Sequence, residues 1–309
     1  MLSKHSRYLF STITGIAGCV ITTVFASNTL QSAPLSQEQD TLPASQETIS
    51  TLRENCEFSV SAPMEAPIDA CSELIKVSGQ DYHLRAWATA YKGLAYDRMT
   101  TWGTAADKAR YAPLALELYR SAIQINPKEI IAYRLLGDYF YNRDAKQAIE
   151  NYKIAATLAP QDDDGSDNLK VAWLYDQEKN YREAVAVYTQ LIDTGKGGPV
   201  YKGAQLYAMR AQSYSRLGEL TSAVADYDEA IRLMPSNITY LTQRGNVYRK
   251  MKQYPKALAD LDLALSRMDY AEAFLVRGLL KQETGDEAGA KEDIARAKDI
   301  EPGVKEDNL

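Results

Sequence analysis

Histidine is nearly absent from this 309-residue chain, which contains only His5 and His83. Neither a histidine-based catalytic triad nor a multi-histidine metal site can be assembled from these two residues. A glycine-rich nucleotide motif is also missing, because Lys196 in the segment TGKGGPVYKG is not followed by Ser or Thr. We therefore expect no catalytic residues, no metal and no cofactor.

The chain also has no surplus of basic residues. It contains 35 Lys and Arg against 41 Asp and Glu, and without its first 26 residues the counts are 33 and 41. A repeat array that binds nucleic acid would need a basic face. We therefore expect protein partners and no nucleic acid.

The first 26 residues have the layout of a signal peptide or a membrane anchor. Lys4, His5 and Arg7 precede an apolar run that ends at Ala26. The segment ending in Cys19 also resembles the lipobox of bacterial lipoproteins, so cleavage, retention and lipidation at Cys19 all remain open. In each case the charge asymmetry predicts that the rest of the chain lies outside the cytoplasm. We expect a bacterial periplasm or cell envelope. Membrane contact is expected only through this segment.

A tether and a small cap are expected to follow. Residues 27–48 are rich in Ser, Gln, Thr, Pro and Glu and contain no basic residue, which predicts a disordered linker. Residues 49–80 predict a helical cap that contains Cys56 and Cys71. An exported protein meets an oxidising compartment, so a disulfide between them is the natural inference, with two buried free thiols as the alternative.

A repeated pattern of small and bulky residues organises the remainder. In residues 204–237, small residues occur at Ala211, Ala223 and Ala230, and Pro235 closes the unit. This spacing predicts two amphipathic helices per unit, joined by a tight turn. The small residues return in the same register twice more, at Gly245, Ala257 and Ala264 and then at Gly278, Ala290 and Ala297, and Pro302 ends the last unit.

The pattern resembles the tetratricopeptide repeat family from Trp87 to Pro302. The resemblance implies an all-α superhelical solenoid of about six helix-turn-helix repeats plus the N-terminal cap. The array would cover residues 81–303, with units at 81–128, 129–160, 165–194, 204–237, 238–270 and 271–303. The N-terminal cysteine element followed by repeats also looks like exported bacterial members of the family.

Two segments interrupt the pattern. In the first repeat, MTTWGTAADKARYAPL adds about ten residues between the helices, and such insertions often emerge as binding loops. Trp102 is the candidate residue of that loop; alternatively it folds back onto the array. The glycines and proline after Asp193 predict a break or hinge in the stack.

Three arginines of the last three repeats each precede the small residue of a first helix. They are Arg210, Arg244 and Arg277, and an aspartate follows each one at the same distance along the chain, at Asp226, Asp260 and Asp293. Because the two helices of a repeat are antiparallel, we interpret these residues as structural ion pairs and not as a basic substrate site.

The family resemblance also implies a concave groove, lined by the first helices, that holds a partner's peptide or helix. On this sequence the wall would comprise Trp87, Arg134, Asp138, Trp173, Gln212, Arg216, Gln243, Asn246 and Arg249. Ala208 and Thr242 stand where family members that clamp a C-terminal carboxylate carry polar or basic side chains, which disfavours a chaperone-tail receptor. The sequence thus predicts a non-catalytic scaffold or adaptor of the cell envelope. The alternative is an accessory subunit or glycan-binding factor of a cell-wall or polysaccharide enzyme system, with a polymer in the groove.

Overall fold

The structure is a computed structural model that describes residues 44–57, 66–159, 164–197 and 203–305. Over these residues it contains fourteen α-helices and no strand, which confirms the all-α solenoid. The helices are α1 Gln46–Glu57, α2 Ala66–Val77, α3 Tyr82–Trp102, α4 Ala105–Ile125, α5 Ile130–Phe140, α6 Ala145–Leu158, α7 Ser166–Gln177, α8 Tyr181–Thr194, α9 Ala204–Leu217, α10 Leu220–Leu233, α11 Ile238–Lys250, α12 Tyr254–Arg267, α13 Ala271–Glu283 and α14 Glu287–Ile300.

Each helix packs against the next one in the chain, as a solenoid requires. The pair α1 and α2 forms the N-terminal cap, and six helix pairs from α3–α4 to α13–α14 form the repeats. The first helices of neighbouring repeats also meet, since α3 contacts α5, and α11 contacts both α9 and α13. Side chains of these first helices therefore form one surface that continues from repeat to repeat.

Local signals account for where the helices begin and end. Asn237 caps α11 by accepting a hydrogen bond from the amide of Thr239 at 3.0 Å. Gly218 ends α9 with a φ of +82°, a conformation that glycine adopts without strain. The tight turn then returns the chain antiparallel as α10.

Buried tyrosines pack against residues without bulk. Tyr119, Tyr152, Tyr188 and Tyr227 occupy the same position in the second helices of four repeats and are at most 2% exposed. A Cβ atom at Gly137 would lie only 2.7 Å from the Tyr152 ring. The tyrosine of the second helix therefore leaves room only for a small residue at this position of the first helix. The last two repeats carry Leu261 and Ile294 at this position.

The prediction of a loop in the first repeat is wrong. Helices α3 and α4 are each 21 residues long, so the inserted residues extend both helices, and only Gly103 and Thr104 lie between them. Thr104 and Asp107 form a capping box that starts α4 immediately. Trp102 is accordingly the last residue of α3, and its side chain lies outside the described part of the chain.

Several expectations concern residues that the structure does not describe. The leader, Cys19 and linker residues 27–43 are among these, as are residues 198–202 of the expected hinge. The last three residues of the predicted linker, 46–48, belong instead to α1. On either side of that hinge the repeats pack directly, since Leu206 of α9 joins a core cluster with Leu169 and Tyr188. Among the described helices, none is both long and apolar enough to cross a membrane.

Candidate partner-binding site

The three arginines of the repeated charge pattern each bind the expected aspartate. Arg210 donates two hydrogen bonds to Asp226, at 2.8 and 2.7 Å. Arg244 binds Asp260 and Arg277 binds Asp293 with the same two-bond geometry, at distances between 2.7 and 2.8 Å. The planar fork of a guanidinium matches a carboxylate in this way, so these arginines hold the two helices of a repeat together.

All three arginines also reach the preceding repeat, two of them through a carboxylate. Arg244 donates to Asp228 at 2.6 Å and Arg277 to Asp262 at 2.8 Å. Arg210 instead donates to the hydroxyl of Thr189 at 3.0 Å. The ion pairs therefore join neighbouring repeats as well as the helices within one repeat.

The same contacts shift the pKa values of Arg244 and Asp293. The hydrogen bonds that Arg244 donates to Asp260 outweigh burial and raise the pKa of Arg244. Burial alone would raise the pKa of Asp293, but its bonds to Arg277 and Lys281 prevail and lower it. Arg244 and Asp293 are thus charged at neutral pH.

At the N-terminal end, the expected groove residue Trp87 lies beneath the cap. The guanidinium of Arg53 in α1 lies 4.6 Å from the centre of the Trp87 ring. One turn further along both helices, the Tyr91 hydroxyl donates to Glu57 at 3.1 Å. Because the disulfide between Cys56 and Cys71 joins α1 to α2, it holds Arg53 in place over the tryptophan. A cleft of about 260 Å³ opens here, lined by Arg53, Asp81, His83, Leu84, Trp87 and Glu129.

The expected residues in the middle of the array are engaged in contacts within and between repeats. Arg134 of α5 donates to Asp167 of α7 at 2.8 Å. Asp138 accepts hydrogen bonds from Tyr152 and from Lys170, each at 2.6 Å. Trp173 packs against the core cluster of the third repeat.

The expected residues of the last three repeats line two neighbouring clefts. The first, which we call the glutamine cleft, has a volume of about 220 Å³ and lies between α9 and α11. The second, the arginine cleft, continues toward α13 and encloses only about 20 Å³, about the space of one water molecule. The glutamine cleft is lined by Gln205, Ala208, Met209, Gln212, Thr239, Tyr240 and Gln243, and the arginine cleft by Gln212, Ser215, Arg216, Tyr227, Gln243, Asn246, Val247, Lys250 and Glu272.

Arg216 and Arg249 differ sharply in what surrounds them. Arg249 is only 8% exposed, donates to Asn246 at 3.1 Å and forms an ion pair with Glu283 of the next repeat. Arg216 is exposed at the end of α9 and lies 5.6 Å from the centre of the Tyr181 ring. Within the described residues it forms no ion pair. Arg249 therefore stabilises the wall, and Arg216 presents a charge at its surface.

Buried tyrosine hydroxyls point toward acceptors on the first helices. Tyr188 donates to Asp176 at 2.9 Å, and Tyr227 donates to Gln243 at 2.9 Å. The Tyr119 hydroxyl is buried and has no hydrogen-bond partner among the described residues. Burial raises the pKa of all three phenols, so each remains a neutral donor.

Partly buried carboxyl groups occur along the first helices and their N-terminal turns. Burial raises the pKa of Asp97, Glu129, Asp176 and Glu272, in each case as the largest cause. These carboxyl groups do not gather into a metal site, since the described residues contain no group of three or more His, Cys, Asp or Glu able to hold an ion. The arrangement offers hydrogen-bond donors and an apolar floor, which are features of a binding surface.

Sequence reasoning missed several residues that line the clefts. One of them is Gln205, which lies two helical turns before the predicted residue Gln212 on α9, a spacing that puts both on one helix face. Arg53 was also missed, and only the cap packing shows its contact with Trp87. Lys250 lines the arginine cleft together with Arg216, whereas the predicted residue Arg249 does not line it.

Comparison with known sequences identifies the repeat. The tetratricopeptide repeat model matches residues 204–237. The Protein SGT1 homolog of Oryza sativa subsp. japonica is 35% identical over 89 residues, which are 29% of this chain and 23% of that protein. The Cellulose synthase operon protein C of Xanthomonas axonopodis pv. citri (strain 306) is 25% identical over 186 residues, 59% of this chain and 12% of that protein. This chain thus spans about a quarter or less of these two relatives.

Solved structures show the same fold over most of the chain. A tetratricopeptide repeat protein from Parabacteroides merdae ATCC 43184 matches with a TM-score of 0.52 and 16% identity, covering 85% of this chain and 96% of that one. A chain in the structure of Naa15/Naa10 bound to HypK-THB matches with a TM-score of 0.53 and 16% identity, covering 84% and 37%. Residues 204–237 thus match a tetratricopeptide repeat, and the chain has the same fold as a solved tetratricopeptide repeat protein over most of its length.

Proposed function

We propose that this protein is a non-catalytic scaffold of the bacterial cell envelope that binds a partner's peptide or helix along its first helices. The observation that carries the proposal is the pair of clefts on α9, α11 and α13, which share Gln212 and Gln243. A surface that runs unbroken across three repeats suits an elongated partner better than a small molecule.

The envelope location is supported by two features of the chain. The first 26 residues have the sequence of a signal or anchor. Cys56 and Cys71 form a disulfide, and such bonds persist in oxidising compartments. We propose the same domain boundaries as those given in the sequence analysis for the linker, the cap and the six repeats.

An accessory role with a glycan in the groove has less support. Polymer binding needs exposed aromatic rings, but Trp87 is contacted by Arg53 and also by Tyr91, whose ring centre lies 4.2 Å from that of Trp87. Trp173 packs against a core cluster. The clefts favour a polypeptide.

The experiment is crosslinking and capture from envelope extracts with a variant that fills both clefts. Gln212 lines both clefts and makes no hydrogen bond within the described residues, so Gln212→Trp should obstruct them without removing a contact. The matched control is Gln190→Trp at an exposed position of α8 that lines neither cleft. We expect the main partner to be lost with Gln212→Trp and retained with Gln190→Trp. Capture at wild-type yield by Gln212→Trp would place the binding site elsewhere.

A further inference from the structure

Two of the four amide side chains that line the clefts, those of Gln243 and Asn246, use their oxygen atoms in bonds within the protein. The oxygen of Gln243 accepts the Tyr227 hydroxyl at 2.9 Å, and the oxygen of Asn246 accepts the Arg249 guanidinium at 3.1 Å. The nitrogens of both amides make no hydrogen bond within the described residues. What these side chains offer to a ligand is therefore N–H donors.

Positive charge is placed beside these donors. Arg216 is exposed and unpaired among the described residues, and Lys250 lines the same cleft. The one carboxylate of the arginine cleft, Glu272, already accepts the Tyr270 hydroxyl at 2.6 Å. The arginine cleft thus has a surplus of donors, although the chain as a whole carries a net charge of −6.

The adjoining glutamine cleft has a different character. Ala208, Met209 and Tyr240 supply an apolar floor, and the volume of about 220 Å³ is large enough for one aliphatic or aromatic side chain. Because Gln212 and Gln243 line both clefts, an apolar group in one would lie beside an acceptor group in the other.

We infer that these clefts bind an extended partner segment in which an apolar side chain is followed or preceded closely by Asp or Glu. The apolar side chain enters the glutamine cleft, and the carboxylate meets Arg216 and the amide nitrogens of Gln243 and Asn246. Charge-assisted hydrogen bonds of this kind are among the strongest that a protein surface can offer. The inference rests on the proposed function, since it names the class of partner for that surface.

The test uses synthetic peptides of defined sequence, acetylated and amidated so that they carry no terminal charge. Each contains one leucine in a serine and glycine background, flanked on both sides by Glu, by Lys or by Gln. Fluorescence anisotropy with the full chain gives the dissociation constants. We expect the Glu peptide to bind at least about tenfold more tightly than the Lys peptide, the difference that one charge-assisted contact can supply. The difference should shrink as salt is added.

Arg216→Glu should abolish or invert this preference, because it replaces the unpaired cation by an anion. Arg182→Glu, at an exposed site of α8 outside both clefts, is the matched control and should keep it. Equal binding of Glu and Lys peptides, no binding of any peptide, or an unchanged preference in Arg216→Glu would overturn the inference. A further set of the same peptides with a free C-terminal carboxylate completes the test, and binding of that set alone would also overturn the inference. Loss of the partner with Gln212→Trp would still support the proposed function in all four cases.

Discussion

Arg244 and Asp260 are joined by two parallel hydrogen bonds across the turn between α11 and α12, at 2.8 and 2.7 Å. Arg210 and Asp226 form the same pair one repeat earlier. The two pairs differ in one respect, because Arg244 has a second carboxylate in Asp228 and Arg210 has only the Thr189 hydroxyl.

Loss of the aspartate should therefore be more damaging at Asp226 than at Asp260. Asp226→Ala leaves a largely buried arginine without a carboxylate, and we expect it to destabilise by about 3 kcal/mol. Asp260→Ala should destabilise by about 1 to 2 kcal/mol, because Asp228 still neutralises Arg244. Urea unfolding measures the loss, and hydrogen exchange assigns it to a repeat. Equal effects of the two substitutions would show that the second carboxylate contributes nothing.

The Tyr119 hydroxyl has no hydrogen-bond partner among the described residues, so its removal should not lower stability. Tyr119→Phe removes a buried polar group without a partner and should leave stability unchanged or raise it by up to about 1 kcal/mol. Tyr188→Phe removes the bond to Asp176 and should lower stability by about 1 to 2 kcal/mol. Thermal unfolding of the two variants makes the comparison. Similar losses in both would mean that Tyr119 has a hydrogen-bond partner in solution.

Glu272 and Asp293, in the last repeat, should give opposite pH dependences. Burial raises the pKa of Glu272, so its contribution to stability falls as pH rises above its unfolded value of about 4.3. The pKa of Asp293 is lowered despite burial, so its contribution is lost as pH falls below about 3.9. Between acidic and neutral pH, the stability of Glu272→Gln relative to wild type should increase and that of Asp293→Asn should decrease. If the relative stabilities of both variants changed in the same direction with pH, the assigned directions of the two pKa shifts would be contradicted.

The disulfide should control the cap and the environment of Trp87. Native exported protein should resist thiol labelling at Cys56 and Cys71 until a reductant is added. Replacing both by Ser opens a loop of 15 residues and should destabilise the cap by about 3 kcal/mol. Hydrogen exchange in α1 and α2 should rise, with little change in α11 to α14. Full labelling of native protein would refute the disulfide.

The ion pairs of the last three repeats were predictable because both partners lie in one repeat. Each arginine and its aspartate are separated by the same number of residues across a tight turn between antiparallel helices. The two side chains therefore meet in the same way in every repeat. Arg249 could not be placed in this way, since its partner Glu283 belongs to the next repeat. Periodicity shows which face a residue occupies but not which neighbour covers it.

The insert of the first repeat was misinterpreted for a different reason. Its length indicated a loop, but Thr104 and Asp107 already carried the capping signal that starts a helix. The clefts were only partly foreseeable, because the acceptors of Gln243 and Asn246 are consumed by contacts that depend on the exact stacking. The donor character of that surface follows from the three-dimensional arrangement alone.

The bonds that Arg244 and Arg277 make to the preceding repeat give the array a direction. A chain is synthesised from its N-terminus, and domains generally fold as they emerge. Each of these arginines arrives after the carboxylate it will bind, Asp228 or Asp262, has already been placed in the repeat before it. Each newly synthesised repeat would therefore dock onto a carboxylate that is already in position. The solenoid would fold in order from its N-terminal end.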